Sequence, residues 1–111
     1  MIRGSVYRVD LGDAKRGHEQ RGKRLGIVLS QNPEIWSTVV IVPTSTRGQD
    51  AIFRPRLHIA GRDTVALTDQ IRTIDTRYVF GDPVDHLSRT DLRQVEFALG
   101  RLLQLRLDVD W

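Results

Sequence analysis

The apolar segments of this chain are short, and all except the last follow strand patterns. Residues 5–11 alternate, with Tyr7, Val9 and Leu11 on one face, as in a half-buried strand. Residues 25–30 are apolar on both faces and predict a central strand. Further short strands are predicted at residues 38–42, 56–59 and 64–67, and residues 70–75 predict a strand or a turn. Strands this short at this spacing favour a small, strongly curved barrel over a parallel sheet.

Glycine and proline mark the connections between these strands. Residues 12–23 hold three glycines and many charges, and they predict a long hairpin loop. Pro43 is expected to end the third strand, because proline cannot donate to a strand ladder. Gly61 is expected to join the fourth and fifth strands, and residues 81–83 (Gly-Asp-Pro) predict a turn.

The end of the chain has a helical pattern. Ser88 to Asp91 resembles a capping box with aspartate in place of glutamate. Apolar residues then recur at helical spacing, at Leu92, Val95, Leu99, Leu102 and Leu103. A helix is therefore predicted over residues 89–104, with one apolar stripe that must cover the sheet or a partner. The predicted fold class is mainly β (α+β), with five to seven short strands and a C-terminal helix.

Size and composition set broad limits on the protein class. With 111 residues, the chain is expected to form a single domain over residues 1–111, and its core is thin enough that a dimer interface would help stability. The absence of cysteine excludes disulfides and thiolate metal sites. Residues 39–43, the longest apolar stretch, are too short to span a membrane, and no signal-peptide pattern begins the chain. We expect a cytoplasmic protein without a membrane partner.

The excess positive charge is concentrated in one segment. The chain carries a net charge of +3, and residues 13–24 alone account for all of it. Such a segment is a plausible anion-binding site. A solvated basic loop explains the same charge, and on charge alone it is the simpler interpretation.

Known metal and cofactor motifs are missing from the sequence. The sequence has three histidines, His18, His58 and His86, and none has another metal-ligating residue at metal-binding spacing. Phosphate-binding, dinucleotide-binding and serine-hydrolase signatures are also absent. We therefore expect no metal and no cofactor.

Arg24 is the first candidate functional residue, because it lies where the basic loop meets the second strand. A rigid strand would fix its position, and a guanidinium suits a phosphate whose charge grows in a transition state. An ion pair with Glu19 is the structural alternative.

Hydroxyl and amide side chains supply the other candidates. Thr44, Ser45 and Thr46 follow Pro43 and could donate to a phosphate oxygen, or they could form turns with the backbone. Alternation would place Gln70 and Arg72 on one face, where Arg72 could equally form a surface ion pair.

Four segments together resemble, in order, the successive blocks of the MazF/PemK toxin family. They are residues 3–11, residues 17–24 (Gly-His-Glu-Gln-Arg-Gly-Lys-Arg), residues 41–46 (Ile-Val-Pro-Thr-Ser-Thr) and residues 69–75 (Asp-Gln-Ile-Arg-Thr-Ile-Asp). The resemblance is collinear over essentially the whole chain. It implies a small SH3-like barrel, shared with the CcdB toxins, in a homodimeric toxin ribonuclease. Such an enzyme cuts single-stranded RNA, leaves a cyclic phosphate and a 5′ hydroxyl, and is neutralised by an antitoxin with an acidic, extended tail.

The resemblance also implies roles for individual residues. The family's catalytic arginine falls on Arg24, and its catalytic hydroxyl falls on Ser45, with Thr44 and Thr46 as alternatives. Positions expected to shape the RNA groove are Glu19, Gln20, Lys23, Thr46, Gln70 and Arg72.

RNA supplies its own nucleophile, the 2′ hydroxyl, so no metal is required. A base must remove its proton, and arginine is a poor base. His18 and Glu19 are the candidates. Histidine as a residue type can exchange a proton near neutral pH, which favours His18, whereas a solvated loop histidine is the competing interpretation. Trp36 and Phe53 could stack against unpaired bases, or they could pack in the core or a dimer interface.

Two other functions compete with RNA cleavage. A CcdB-like protein would bind DNA gyrase rather than cut RNA. An SH3-like module with a basic loop would bind RNA or protein without chemistry.

Overall fold

The computed structural model describes residues 1–13, 17, 20–31, 36–49 and 51–106. These residues form a seven-stranded antiparallel sheet with the strand order β4-β5-β3-β2-β1-β7, and β6 also pairs with β3. The strands are β1 (Ser5–Asp10), β2 (Lys23–Val28), β3 (Thr38–Ser45), β4 (Arg56–Ile59), β5 (Arg62–Ala66), β6 (Arg72–Asp75) and β7 (Val79–His86).

Strands β1, β2 and β3 each place buried apolar side chains on both faces of the sheet. On one face, Val6, Ile27 and Val42 pack with residues of β4 and of the helix. On the opposite face, Val9, Val28 and Ile41 form a second cluster with Val39, Leu11 and Ile74. We call these the helix face and the outer face of the sheet. Val9 and Leu11 lie in the outer-face cluster and Tyr7 packs against it, as the alternation of residues 5–11 predicted. The strand is not half-buried, however, because Val6 is buried on the helix face.

Helix α1 (Arg89–Leu103) follows the predicted pattern. The Ser88 hydroxyl accepts a hydrogen bond from the backbone N–H of Asp91 at 3.1 Å, which satisfies one of the free donors of the first turn. Gln104 ends the helix in a left-handed conformation with φ of 53°. The buried stripe, which includes Val95 and Leu99, covers the helix face of the sheet.

Pro43 does not end β3, contrary to the prediction. The strand continues to Ser45, and Pro43 lies opposite Gly26 of β2. Its carbonyl accepts from the Leu67 N–H at 2.9 Å on the other side of the strand. On that side β3 pairs with β6 up to Ile41 and with β5 from Thr44 onward. Because the proline lies where β3 changes partners, its missing N–H interrupts neither ladder.

Residues 81–83 form an irregularity within β7 rather than a separate turn. The register with β1 shifts between the pairs Val6–Asp85 and Arg8–Phe80, so the extra residues of β7 bulge out of the ladder. Gly81 has φ of +72°, a conformation that glycine adopts easily. Residues 70–75 also differ from a continuous strand, because Thr68–Gln70 form a 3₁₀ turn before β6.

The two ends of the sheet meet through a side chain. Ala60 and Gly61 form the two-residue turn between β4 and β5, both at positive φ, as expected around Gly61. The carboxylate of Asp85 in β7 accepts a hydrogen bond from the Ala60 N–H at 2.7 Å. The sheet is therefore curled into a half-barrel whose free edges are bridged at this point.

Candidate active site

Arg24 lies at the start of β2, beside the base of the long β1–β2 loop. That base is fixed by two backbone hydrogen bonds, from Leu11 N–H to Gly22 O and from Gly22 N–H to Gly12 O. The Arg24 Nε donates to the carbonyl of Arg21 at 2.9 Å. One edge of the guanidinium is thus held by the backbone, while the described residues form no ion pair with its two terminal nitrogens.

Ser45 is the hydroxyl that the sheet brings nearest to Arg24 in register. The pairing of β2 with β3 ends at Gly26 and Pro43, and the same antiparallel register extended by two residues would set Arg24 opposite Ser45 on the outer face. The Ser45 oxygen accepts from the Arg47 N–H at 3.2 Å, so its own hydrogen is free to be donated. Both side chains line the same clefts.

Thr44 points the other way, toward the helix face. Its side chain is buried, and its hydroxyl donates to the carbonyl of Leu25 at 3.1 Å. The single hydrogen of that hydroxyl is therefore committed to the backbone.

A cleft of about 530 Å³, here called the wide cleft, opens at the end of the sheet. Its lining includes Arg8, Lys23, Arg24 and Arg62 together with the hydroxyl residues Thr44, Ser45 and Thr46. The described residues supply no carboxylate that pairs with any of these four cations. A cleft with four positive charges that no carboxylate of the described residues neutralises attracts a polyanion.

A second cleft, the loop cleft, lies on the other side of Arg24 and Ser45. It is lined by Gln20, Lys23, Arg24, Ser45 and Thr46 and by residues of the β3–β4 connection, including Arg47 and Arg54. Because Arg24 and Ser45 line both clefts, a strand of nucleic acid crossing from one to the other would pass over them.

Two contacts hold the floor of the loop cleft. Arg54 forms a bidentate pair with Asp69, with both N–O distances at 2.7 Å. This hydrogen bonding lowers the pKa of Asp69 and raises that of Arg54, so the pair stays ionised and Arg54 contributes little free charge. The Gln20 N–H donates weakly, at 3.4 Å, to the side-chain oxygen of Gln70, which joins the loop to the 3₁₀ turn.

The other predicted residues are distributed unevenly. Lys23, Gln20 and Thr46 line the loop cleft with Arg24, and Gln70 contacts Gln20 behind it. Arg72 lies opposite Ile41 in β6 and lines neither cleft. His18 and Glu19 lie outside the described residues.

The proposed stacking residues also differ from expectation. Trp36 is exposed and Phe53 is half-buried, and neither lines the two clefts. An aromatic residue that does lie with these cations is Phe80, which lines a third cleft with Arg8, Lys23, Arg24 and Leu25. Sequence reasoning missed Arg8, Arg62 and Phe80; alternation in β1 does place Arg8 opposite the Tyr7 face, but nothing local marks Phe80.

The described part of the chain holds no group of His, Asp or Glu side chains arranged to bind a metal ion. Within the same residues, no helix has the length and apolar character needed to cross a membrane.

Comparison with known proteins gives consistent matches. A family model described as PemK-like, MazF-like toxin of type II toxin-antitoxin system matches residues 2–103. Rv3098A, a candidate toxin of Mycobacterium tuberculosis, is 57% identical over 105 residues, which are 95% of this chain and 99% of the relative. The crystal structure of MazF from Deinococcus radiodurans has a TM-score of 0.77 at 27% identity, covering 92% of this chain and 94% of MazF. An endoribonuclease from a mycobacterial species, solved with its cognate antitoxin, has a TM-score of 0.77 at 22% identity, covering 97% and 99% of the two chains.

These matches confirm the predicted fold class, a mainly β structure with a curled antiparallel sheet and a C-terminal helix. They also confirm the family resemblance, because the family model and the relative from Mycobacterium tuberculosis both cover nearly the whole chain. The chain belongs to the PemK-like, MazF-like family of toxins of type II toxin-antitoxin systems.

Proposed function

We propose that this toxin, acting as one catalytic domain over residues 1–111, is a metal-independent endoribonuclease that cuts single-stranded RNA at specific sequences. One observation carries the proposal: Arg24 and Ser45 line the same clefts, and each keeps hydrogen-bond donors that no other described residue occupies. The four cations of the wide cleft would hold the RNA backbone, and the pair would contact the scissile phosphate.

The chemistry uses the ribose of the substrate. The 2′ oxygen loses its proton and bonds to the adjacent phosphorus, and the bond from phosphorus to the 5′ oxygen breaks. The products are a 2′,3′-cyclic phosphate and a 5′ hydroxyl, whose oxygen takes up a proton. Arg24 and the Ser45 hydroxyl stabilise the charge that builds on the phosphoryl oxygens. His18 and Glu19 remain the candidates for the base.

The partners follow from the same charge distribution. The family resemblance implies a cognate antitoxin with an acidic, extended tail, and the positive charge of the wide cleft would attract such a tail as it would attract RNA. Related proteins have been solved with antitoxins. They are MazF from Deinococcus radiodurans, in a MazE–MazF complex, and the mycobacterial endoribonuclease with its cognate antitoxin. A homodimer is part of the proposal.

The test is cleavage of a long single-stranded transcript in the presence of EDTA. We expect the wild-type protein to cut and to leave 5′ hydroxyl ends, and Arg24→Ala to cut at least about 100-fold more slowly, because a donor to the developing charge is lost. Arg93→Ala is the matched control, since it removes the same charge from an exposed position of α1.

Each alternative predicts a different result in the same assay. Cleavage that disappears with EDTA would contradict the metal-independent mechanism. Intact RNA together with inhibition of DNA gyrase would support the CcdB-like function, and retention of intact RNA would support a non-catalytic binding module.

A further inference from the structure

Phe80 is an aromatic side chain left exposed beside the cations of the site. It is 47% exposed, and it lies opposite Arg8 in the pairing of β7 with β1. Arg8 is in turn opposite Leu25 in the pairing of β1 with β2. Partners in register share a face, so Phe80, Arg8 and Leu25 form a row across three strands. This row, with Lys23 and Arg24, lines a mainly apolar depression, the Phe80 cleft.

A bulge in β7 begins directly after this exposed aromatic residue. The register with β1 shifts immediately after the Phe80–Arg8 pair, and Gly81 takes a positive φ there. Bulges of this kind redirect the neighbouring side chain and interrupt pairing. The surface around Phe80 therefore differs from that of a regular strand ladder.

Positive charge continues from the Phe80 cleft into the wide cleft. Arg8 lines both, and Arg62 lines the wide cleft directly after the β4–β5 turn. The Asp85–Ala60 hydrogen bond holds that turn against β7, and Arg62 and Arg8 both line the wide cleft. Among the described residues, neither arginine has a carboxylate partner.

An aromatic face next to unpaired arginines matches the way proteins hold single-stranded nucleic acid, where bases stack and cations follow the backbone. We propose that one flank of the RNA strand is bound here, with a base stacked on Phe80 and its backbone phosphates paired with Arg8 and Arg62. This inference rests on the function proposed above, since it assigns a subsite next to Arg24 and Ser45.

The experiment measures binding separately from cleavage. The probe is a fluorescein-labelled, single-stranded 2′-O-methyl RNA of randomised sequence, which lacks the free 2′ hydroxyl and stays intact. Binding is followed by fluorescence anisotropy over a range of KCl concentrations. Phe80→Ala should weaken binding about tenfold at every salt concentration, because stacking on one base is lost. Phe80→Tyr should restore it, whereas Phe80→Leu should not.

The arginines should give a different signature. Arg8→Ala and Arg62→Ala should each reduce the slope of log affinity against log salt by about 0.7, the value for one single-strand phosphate contact. Arg93→Ala should leave the slope unchanged. Unchanged affinity and slope in all three cleft variants would overturn the proposal, and so would sedimentation showing that Phe80→Ala acts by dissociating an oligomer.

The outcomes separate this inference from the proposed function. If wild type cuts RNA in EDTA but the cleft variants bind the probe normally, the ribonuclease stands and the subsite is wrong. If wild type does not cut but the cleft variants lose binding with the expected signatures, the subsite stands and the enzyme does not.

Discussion

Thr44 and Ser45 are adjacent residues with hydroxyl side chains, but they differ in whether the hydroxyl hydrogen is already donated within the protein. The Thr44 hydroxyl donates its hydrogen to the carbonyl of Leu25, whereas the Ser45 hydroxyl accepts from the Arg47 N–H and donates to none of the described residues. The sequence predicted that a hydroxyl after Pro43 would matter. The family resemblance ranked Ser45 ahead of Thr44, but the residue pattern alone gave no physical reason for that order, because the strand was expected to stop at Pro43 and alternation beyond it had no basis.

This difference predicts opposite effects of two conservative substitutions. Ser45→Ala should slow cleavage about 100-fold with little loss of stability, because a donor to the transition state is removed. Thr44→Val should lower the free energy of unfolding by about 1 kcal/mol, because the Leu25 carbonyl loses its donor, and cleavage should stay near the wild-type rate. Single-turnover cleavage and urea denaturation measure the two effects. Loss of cleavage in Thr44→Val, with Ser45→Ala active, would assign the catalytic alcohol to Thr44.

The strands and the helix that have a periodic residue pattern were predicted correctly from the sequence, whereas the positions where a strand is irregular were not. The strand of residues 5–11 and the capped helix depend on local periodicity and on one side-chain bond, both of which are visible in the sequence. Pro43 and residues 81–83 looked like breaks, yet both lie inside strands. A proline does not disrupt pairing where a strand changes partners. A glycine-containing turn becomes a bulge when the strand continues beyond it. Both outcomes depend on neighbouring strands that are distant in sequence.

The contact between β7 and the β4–β5 turn predicts a dependence of stability on pH. Hydrogen bonds from the N–H groups of Ala60 and His86 lower the pKa of the Asp85 carboxyl. The unfolded chain then binds the proton more readily than the folded one, so this contribution is complete at neutral pH and is lost as the pH falls below about 4.

We therefore expect Asp85→Asn to be less stable than wild type by about 1 kcal/mol at pH 7, and the difference to shrink at pH 3. Urea denaturation at the two pH values provides the measurement. Asp82→Asn, at an exposed position of the same strand, is the control. A difference that stays constant or grows on acidification would mean that Asp85 does not bridge the sheet in this way.

At the scale of the whole molecule, several large apolar side chains remain exposed on the described surface. Phe97 is 65% exposed and Ile52 is 70% exposed. A chain of 111 residues has little core to spare, so covering such surface in a dimer would add stability. We expect sedimentation velocity at micromolar concentration to show a dimer for wild type and for Arg24→Ala alike. A stable monomer under these conditions would contradict the proposed homodimer.

The register of β3 has a consequence for how this toxin can change. Pro43 is anchored opposite Gly26, so an extra residue inserted just after it would advance the rest of the strand by one step. Successive residues of a strand face opposite ways, and Thr44 would then occupy the place beside Arg24 that Ser45 holds. A point mutation of Ser45 is therefore one way to put threonine beside Arg24. Insertion of a single codon after Pro43 is a second way to do so.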